Sequence, residues 1–144
     1  MIKKQWPGIS ITEDDSELAS RIIKQDGLLR NIDQKDLLLL AASLAMKYNA
    51  PEVITSAGKR KDVTHQSLIN GDNYNEYRQY ISMIFFQTVG KKDLKSMADP
   101  KVMVDNFIDY ARRGLYLLKT DYLESNNADE RLLEDFVSHL KPAA

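Results

Sequence analysis

The chain has 144 residues, 43% of them hydrophobic and 28% charged, with no cysteine and a formal net charge of −1 at pH 7. A chain of this kind reads as one water-soluble domain, residues 1–144, that can bury about two-thirds of its unfolded surface without a disulfide or metal staple. The lack of cysteine excludes thiol nucleophiles, disulfides and Cys-based zinc sites and agrees with a reducing compartment, and the near-zero charge argues against wholesale electrostatic attraction to nucleic acid or an anionic membrane.

The opening MIKKQWPGISITEDD has two lysines with no apolar run behind them and does not read as a signal peptide. Pro7, Gly8 and the alternating Ile9 and Ile11 predict an extended segment, with Trp6 docked on the body of the domain. A first helix starts at Thr12, whose hydroxyl can cap free amides while Glu13, Asp14 and Asp15 occupy the positive end of the helix dipole. It stops near Gly27 and turns Leu18 and Ile22 inward.

The second helix, from about Asp33 to Tyr48, is apolar on every side between Leu37 and Ala42 and belongs at the centre, with Leu40 and Leu44 in the core. The surrounding apolar stretch, Leu37 to Met46, is interrupted by Ser43 and too short to span a bilayer, so no membrane partner and a cytoplasmic location are expected. Asn49 and Pro51 end the helix. An irregular or short-hairpin insertion follows near residues 49–72, with a hairpin through Glu52 to Thr55 and Asp62 to Leu68 as one reading. This insertion carries the basic run Lys59, Arg60, Lys61.

A third helix covers Tyr74 to Val89, with Tyr77, Ile81, Ile84, Phe85 and Thr88 at helical spacing, although its ISMIFF core would also suit a strand. A turn of helix around Asp93 to Met97 precedes Asp99 and Pro100, a capping acid ahead of a proline at the first helical position. That signal starts a long helix to about Ser125. A last helix spans about Asp129 to Leu140, with Leu132, Leu133, Phe136 and Leu140 inward. The expected architecture is all-α, mainly helical: a compact bundle of about five helices.

The long helix has a glycine in its middle. Val104, Phe107, Ile108, Ala111, Leu115, Leu118 and Tyr122 form one apolar stripe, and Gly114 follows Phe107 by seven residues, so it faces the core and admits a neighbouring helix. Arg112 and Arg113 then fall towards the opposite face, where Asp109 offers ordinary solvated ion pairs; the functional alternative is an arginine pair gripping phosphate or a partner's carboxylates.

Enzyme signatures are absent. His65 and His139 stand far apart in no HxxxH or HExxH arrangement, and there is no GxSxG, phosphate loop or GxGxxG. The acids Glu130, Glu134 and Asp135 read as a solvated face rather than a cation site. No catalytic residue, metal site, cofactor or small-molecule substrate is expected. The contact candidates are Lys59, Arg60, Lys61, Arg112 and Arg113, for phosphate or for a protein partner.

Two stretches together, DGLLRNIDQKDLLLLAASLAMKYNAP and FIDYARRGLYLLKTDYLE, resemble the small accessory proteins encoded beside bacterial Dnd genes, the DNA phosphorothioation and associated restriction systems. Lys35 and Asp36, Ala41 and Ala42, Tyr110 and Ala111, and Gly114 and Leu115 match the pattern, whereas Lys47 replaces an expected glycine. The resemblance covers about half the chain and brings no catalytic residues. It implies a role in DNA-modification-linked defence, as a partner or regulator of larger machinery. The favoured reading is therefore a non-enzymatic helical module that binds another protein or itself, and the rival is a small DNA-binding protein using the basic loop and the arginine pair.

Overall fold

Thr12 ends one element and begins the next. It is the last residue of strand β1 (Ile9–Thr12) and the N-cap of helix α1 (Glu13–Lys24), its hydroxyl accepting from the Asp15 amide at 3.2 Å. In the computed structural model, which describes residues 5–53, 58–89 and 99–123, the order continues through α2 (Gln34–Lys47), strand β2 (Arg60–Thr64), the one-turn helix α3 (Gln66–Ile69), a 3-10 turn (Asp72–Tyr74), α4 (Asn75–Val89) and α5 (Pro100–Leu118). A π-helical turn, Lys119–Leu123, extends α5. The fold is mainly helical, as expected. The expected turn of helix near 93–97, the helix at 129–140 and the end of α5 beyond residue 123 lie outside the described residues.

The insertion differs from its expected form. β2 pairs antiparallel with β1, in the register Ser10 to Asp62, Ile11 to Lys61 and Thr12 to Arg60, and Glu52 and Val53 lie outside any strand. Apolar alternation in the N-terminal segment explains the choice: Ile9 and Ile11 are fully buried, so β1 brings a core-facing edge to which β2 can bond. The same segment is held by Asn70, whose side chain accepts from the Trp6 amide and donates to the Trp6 carbonyl, both at 2.9 Å.

The centre of the molecule is the pairing of α2 with α5. Leu37, Leu38 and Leu44 are completely buried, but Leu40, expected in the core, is only half-buried at its margin. The helix has apolar residues in excess of the face it can bury. Facing α2 are Phe107, Ala111, Gly114, Leu115 and Leu118 of α5, and the expected close approach is real. A Cβ at Gly114 would overlap the carbonyl group of Ala41 and lie 2.6 Å from its Cα, so only a hydrogen fits between the two backbones. α4 packs on this pair through Tyr77, Ile81, Ile84 and Phe85. The Tyr77 ring meets Phe107 edge-on at 5.9 Å, and its hydroxyl donates to the Lys35 carbonyl at 2.7 Å. At the start of α5, Asp99 accepts from the Lys101 amide and Pro100 occupies the first turn.

Two measurements test this packing. Gly114→Ala should destabilise the protein by about 1–3 kcal/mol or more in urea denaturation, because the intruding methyl meets backbone that cannot move aside locally. Gly58→Ala, where a Cβ would meet nothing within 4 Å, should change stability by less than about 0.5 kcal/mol.

Burial of Tyr77 raises its phenol above the ordinary value of 10.0, with the Asp36 carboxylate adding to the effect. In the unfolded chain the phenol releases its proton near that value, while the folded chain retains it. Stability from this group is therefore present below about pH 10 and declines above it. Denaturation midpoints recorded on the alkaline side should fall more steeply for the wild type than for Tyr77→Phe.

Candidate functional site

The five cationic residues singled out by sequence do not form one patch. Arg112 is only 7% exposed. It follows Ile108 by one helical turn, which places it on the flank of the apolar stripe rather than on the far side, and its Nε lies 2.6 Å from Oδ2 of Asp15, itself completely buried. The expectation of a solvated Arg112 pairing with Asp109 is thus overturned. Asp109 instead takes Arg113, at 2.7 Å, and Glu52 reaches the same guanidinium at 3.2 Å. Arg113 also stacks on Tyr110, 4.3 Å from the ring centroid, and its side chain is 14% exposed. Neither arginine projects freely from α5.

The basic run lies at the start of β2 rather than in an open loop. The Lys59 carbonyl accepts from the Glu13 amide at 2.9 Å, tying the approach to β2 to the first turn of α1. Arg60 folds across the ribbon and donates to the Ser10 hydroxyl at 3.0 Å and the Ser10 carbonyl at 2.7 Å. Lys59 and Lys61 are exposed, and Lys61 stands at a shallow groove with Glu13, Ser16 and Glu17. A basic side chain facing two carboxylates offers little net potential to a phosphate.

The fold does bring Arg60 and Arg112 to one cleft, of about 170 Å³, between the ribbon and α5. Thr12 and Ile108 form part of it, and Asp105 and Asp109 complete the lining. The charges are mixed and largely paired: Asp105 meets Lys101 at 3.3 Å and Asp109 meets Arg113. This arrangement is a set of matched ions, without a concentrated charge for a ligand of one sign.

Among the described residues no group of three or more His, Asp or Glu side chains could hold a metal ion. His65 is exposed at the N-cap of α3, its Nδ1 3.6 Å from Asp62 Oδ2. His139 and the acids Glu130, Glu134 and Asp135 lie outside the described residues, and no described helix is long and apolar enough to cross a membrane.

A different surface emerges on α4. Tyr80, Met83 and Phe86 are 48%, 53% and 41% exposed, three large apolar side chains at steps of three on one outward face. From Gln79 to Val89 the helix carries no charge on any side. Beside this face runs a groove of about 470 Å³ bordered by Trp6, Asn75, Arg78, Gln79, Ser82 and Met83. The guanidinium of Arg78 is engaged with the Ile69 and Gly71 carbonyls. Family models, curated proteins and solved structures yield no match to the chain.

Sequence reasoning missed both the Asp15 partner of Arg112 and the α4 face. For the latter a signal existed, since a run apolar all round is suited to complete burial, and α4 buries only one side of it. For Asp15 no local signal exists, because its position in an acidic first turn is that of any solvated helix start.

Removing one partner of the buried pair leaves an uncompensated charge. Arg112→Ala should therefore cost about 3–5 kcal/mol, against less than about 1 kcal/mol for Lys101→Ala, whose pair is exposed. Joint replacement, Asp15→Leu with Arg112→Met, should recover most of the loss, measured as a double-mutant cycle in urea.

Proposed function

We propose that this chain is a non-enzymatic helical interaction module, and that the outward face of α4 is where its protein partner docks. The observation that carries the reading is the cluster of Tyr80, Met83 and Phe86 on an uncharged stretch of helix. Large apolar side chains held in water cost free energy that docking recovers at roughly 25 cal/mol per Å², and contiguous exposed apolar patches of about 300–600 Å² are often functional. Aromatic residues and methionine are the side chains enriched where proteins meet.

The resemblance of the Lys35–Asp36 and Tyr110–Ala111 stretches to Dnd accessory proteins suggests the setting: a regulatory or scaffolding partner in DNA-modification-linked bacterial defence. The non-enzymatic reading is supported by the paired character of the Arg60–Arg112 cleft and by the exposed setting of His65 beside Asp62. The rival reading, direct DNA contact, draws on the exposure of Lys59, Arg60 and Lys61 at the start of β2. It is weakened because Arg112 and Arg113 are engaged within the fold.

A photo-crosslinking residue in place of Met83, introduced into the protein in its native cells, should give a discrete protein adduct on irradiation, while the same residue in place of Lys61 should not. In vitro, fluorescence anisotropy against duplex DNA at two salt concentrations should show no saturable, salt-dependent binding. No adduct from position 83, together with salt-sensitive DNA binding lost in the Lys59→Ala/Lys61→Ala double variant, would reverse the order of the two readings.

A further inference from the structure

Resting on the reading of α4 as a docking face, we infer that its occupant is a second copy of this chain, packed α4 against α4, antiparallel, with the twofold axis at Met83. The face is complementary to itself. A twofold interface requires a surface to carry both a projection and the recess that receives it. α4 carries both: Phe86 projects at 41% exposure, and the groove beside Trp6, Asn75, Gln79 and Ser82 lies toward the other end of the same helix. Helix geometry places them in register. Asn75, Gln79, Ser82 and Phe86 recur at steps of three and four and so share one flank of the face, with Met83 between the projection and the mouth of the recess.

An antiparallel twofold keeps each flank on its own side and inverts position along the helix about residue 83. Phe86 of the second copy therefore arrives at the level of Tyr80 on the flank of Gln79 and Ser82, at the groove, and Tyr80 arrives beside Gln87 of the second copy. The two Met83 side chains meet at the axis, where an unbranched thioether adapts readily to an identical neighbour.

Charge supports the same occupant. Superposing a face on its own copy doubles every charge it bears; the stretch from Gln79 to Val89 bears none, and Arg78, which also borders the groove, is turned onto the Ile69 and Gly71 carbonyls. Nothing there opposes the approach of a second copy, and nothing would steer a charged partner. Each copy contributes on the order of 300 Å² from the three apolar side chains, which with the groove walls puts the interface at the low end of specific associations. The expected dissociation constant is on the order of 100 μM.

Sedimentation velocity of the full chain from about 10 μM to about 500 μM, a range bracketing that constant, should show a monomer shifting to a dimer. Met83→Glu should weaken association at least about tenfold, with the far-UV spectrum and urea midpoint unchanged, whereas Leu28→Glu, exposed outside α4, should leave it as in the wild type. Phe86→Lys should abolish the dimer, and adding Gln79→Glu should restore it at low salt, since the geometry places position 86 of one copy against position 79 of the other. A wild-type chain that stays monomeric throughout, or a dimer indifferent to Met83→Glu, overturns the inference. If that chain is monomeric while position 83 crosslinks to a different protein, the second copy is excluded and the docking face stands. A chain that is monomeric throughout and also gives no crosslink defeats the docking face itself.

Discussion

The described fold is arranged around the contact between the backbone of Ala41 and the α carbon of Gly114. Two helices ordinarily keep 8–10 Å between their axes because side chains hold them apart. Here alanines at positions 41, 42 and 45 of α2 and at 111 of α5, with the glycine, leave little to separate them. The close approach trades side-chain volume for a larger number of short backbone contacts, individually small and collectively substantial. It also fixes the rotation of α5 about its own axis, and with it the direction of every side chain α5 bears.

That rotation decides the fate of the arginines. With Gly114 against α2, position 112 is turned toward the first turn of α1 and position 113 toward Asp109 and Glu52. The buried Asp15–Arg112 pair is better understood as a registration device than as a source of stability, since an apolar pair of equal volume would hold the elements together as well. It specifies which turn of α1 meets which turn of α5. The Thr12 cap adds to the same specification from the other side, because one residue is at once the end of the ribbon and the start of the helix.

Much of this was legible in the sequence. The caps at Thr12 and Asp99, the inward faces of α1 and α4 and the core position of Gly114 follow from local spacing and capping chemistry, which the structure keeps. What escaped was pairing between distant segments. Nothing near Arg60 announces that its strand will bond to Ile9–Thr12 rather than to its own neighbours, and nothing near Arg112 announces Asp15. Both depend on which surfaces the α2–α5 pair leaves available. Leu40 shows the converse limit: an all-round apolar helix signals centrality without saying which of its leucines lies at the margin. The candidate docking face shows another limit: helical spacing sets Tyr77, Ile81, Ile84 and Phe85 on the inward side, but whether anything covers Tyr80, Met83 and Phe86 opposite them depends on the packing of the rest of the chain.

The separation in sequence of these central partners bears on how the chain is made. Gly114 lies more than half the chain beyond Ala41, and Arg112 nearly the whole described length beyond Asp15. During synthesis, residues emerge in order at about 5–20 per second. α1 and α2 therefore leave the ribosome seconds before α5, with Leu37, Leu38 and Leu44 lacking the helix that will cover them. The loop closed by the α2–α5 contact must be brought together before any central packing rewards it, which slows folding relative to bundles made of sequence neighbours. For the nascent chain, the dangerous interval ends only when the glycine has cleared the exit tunnel.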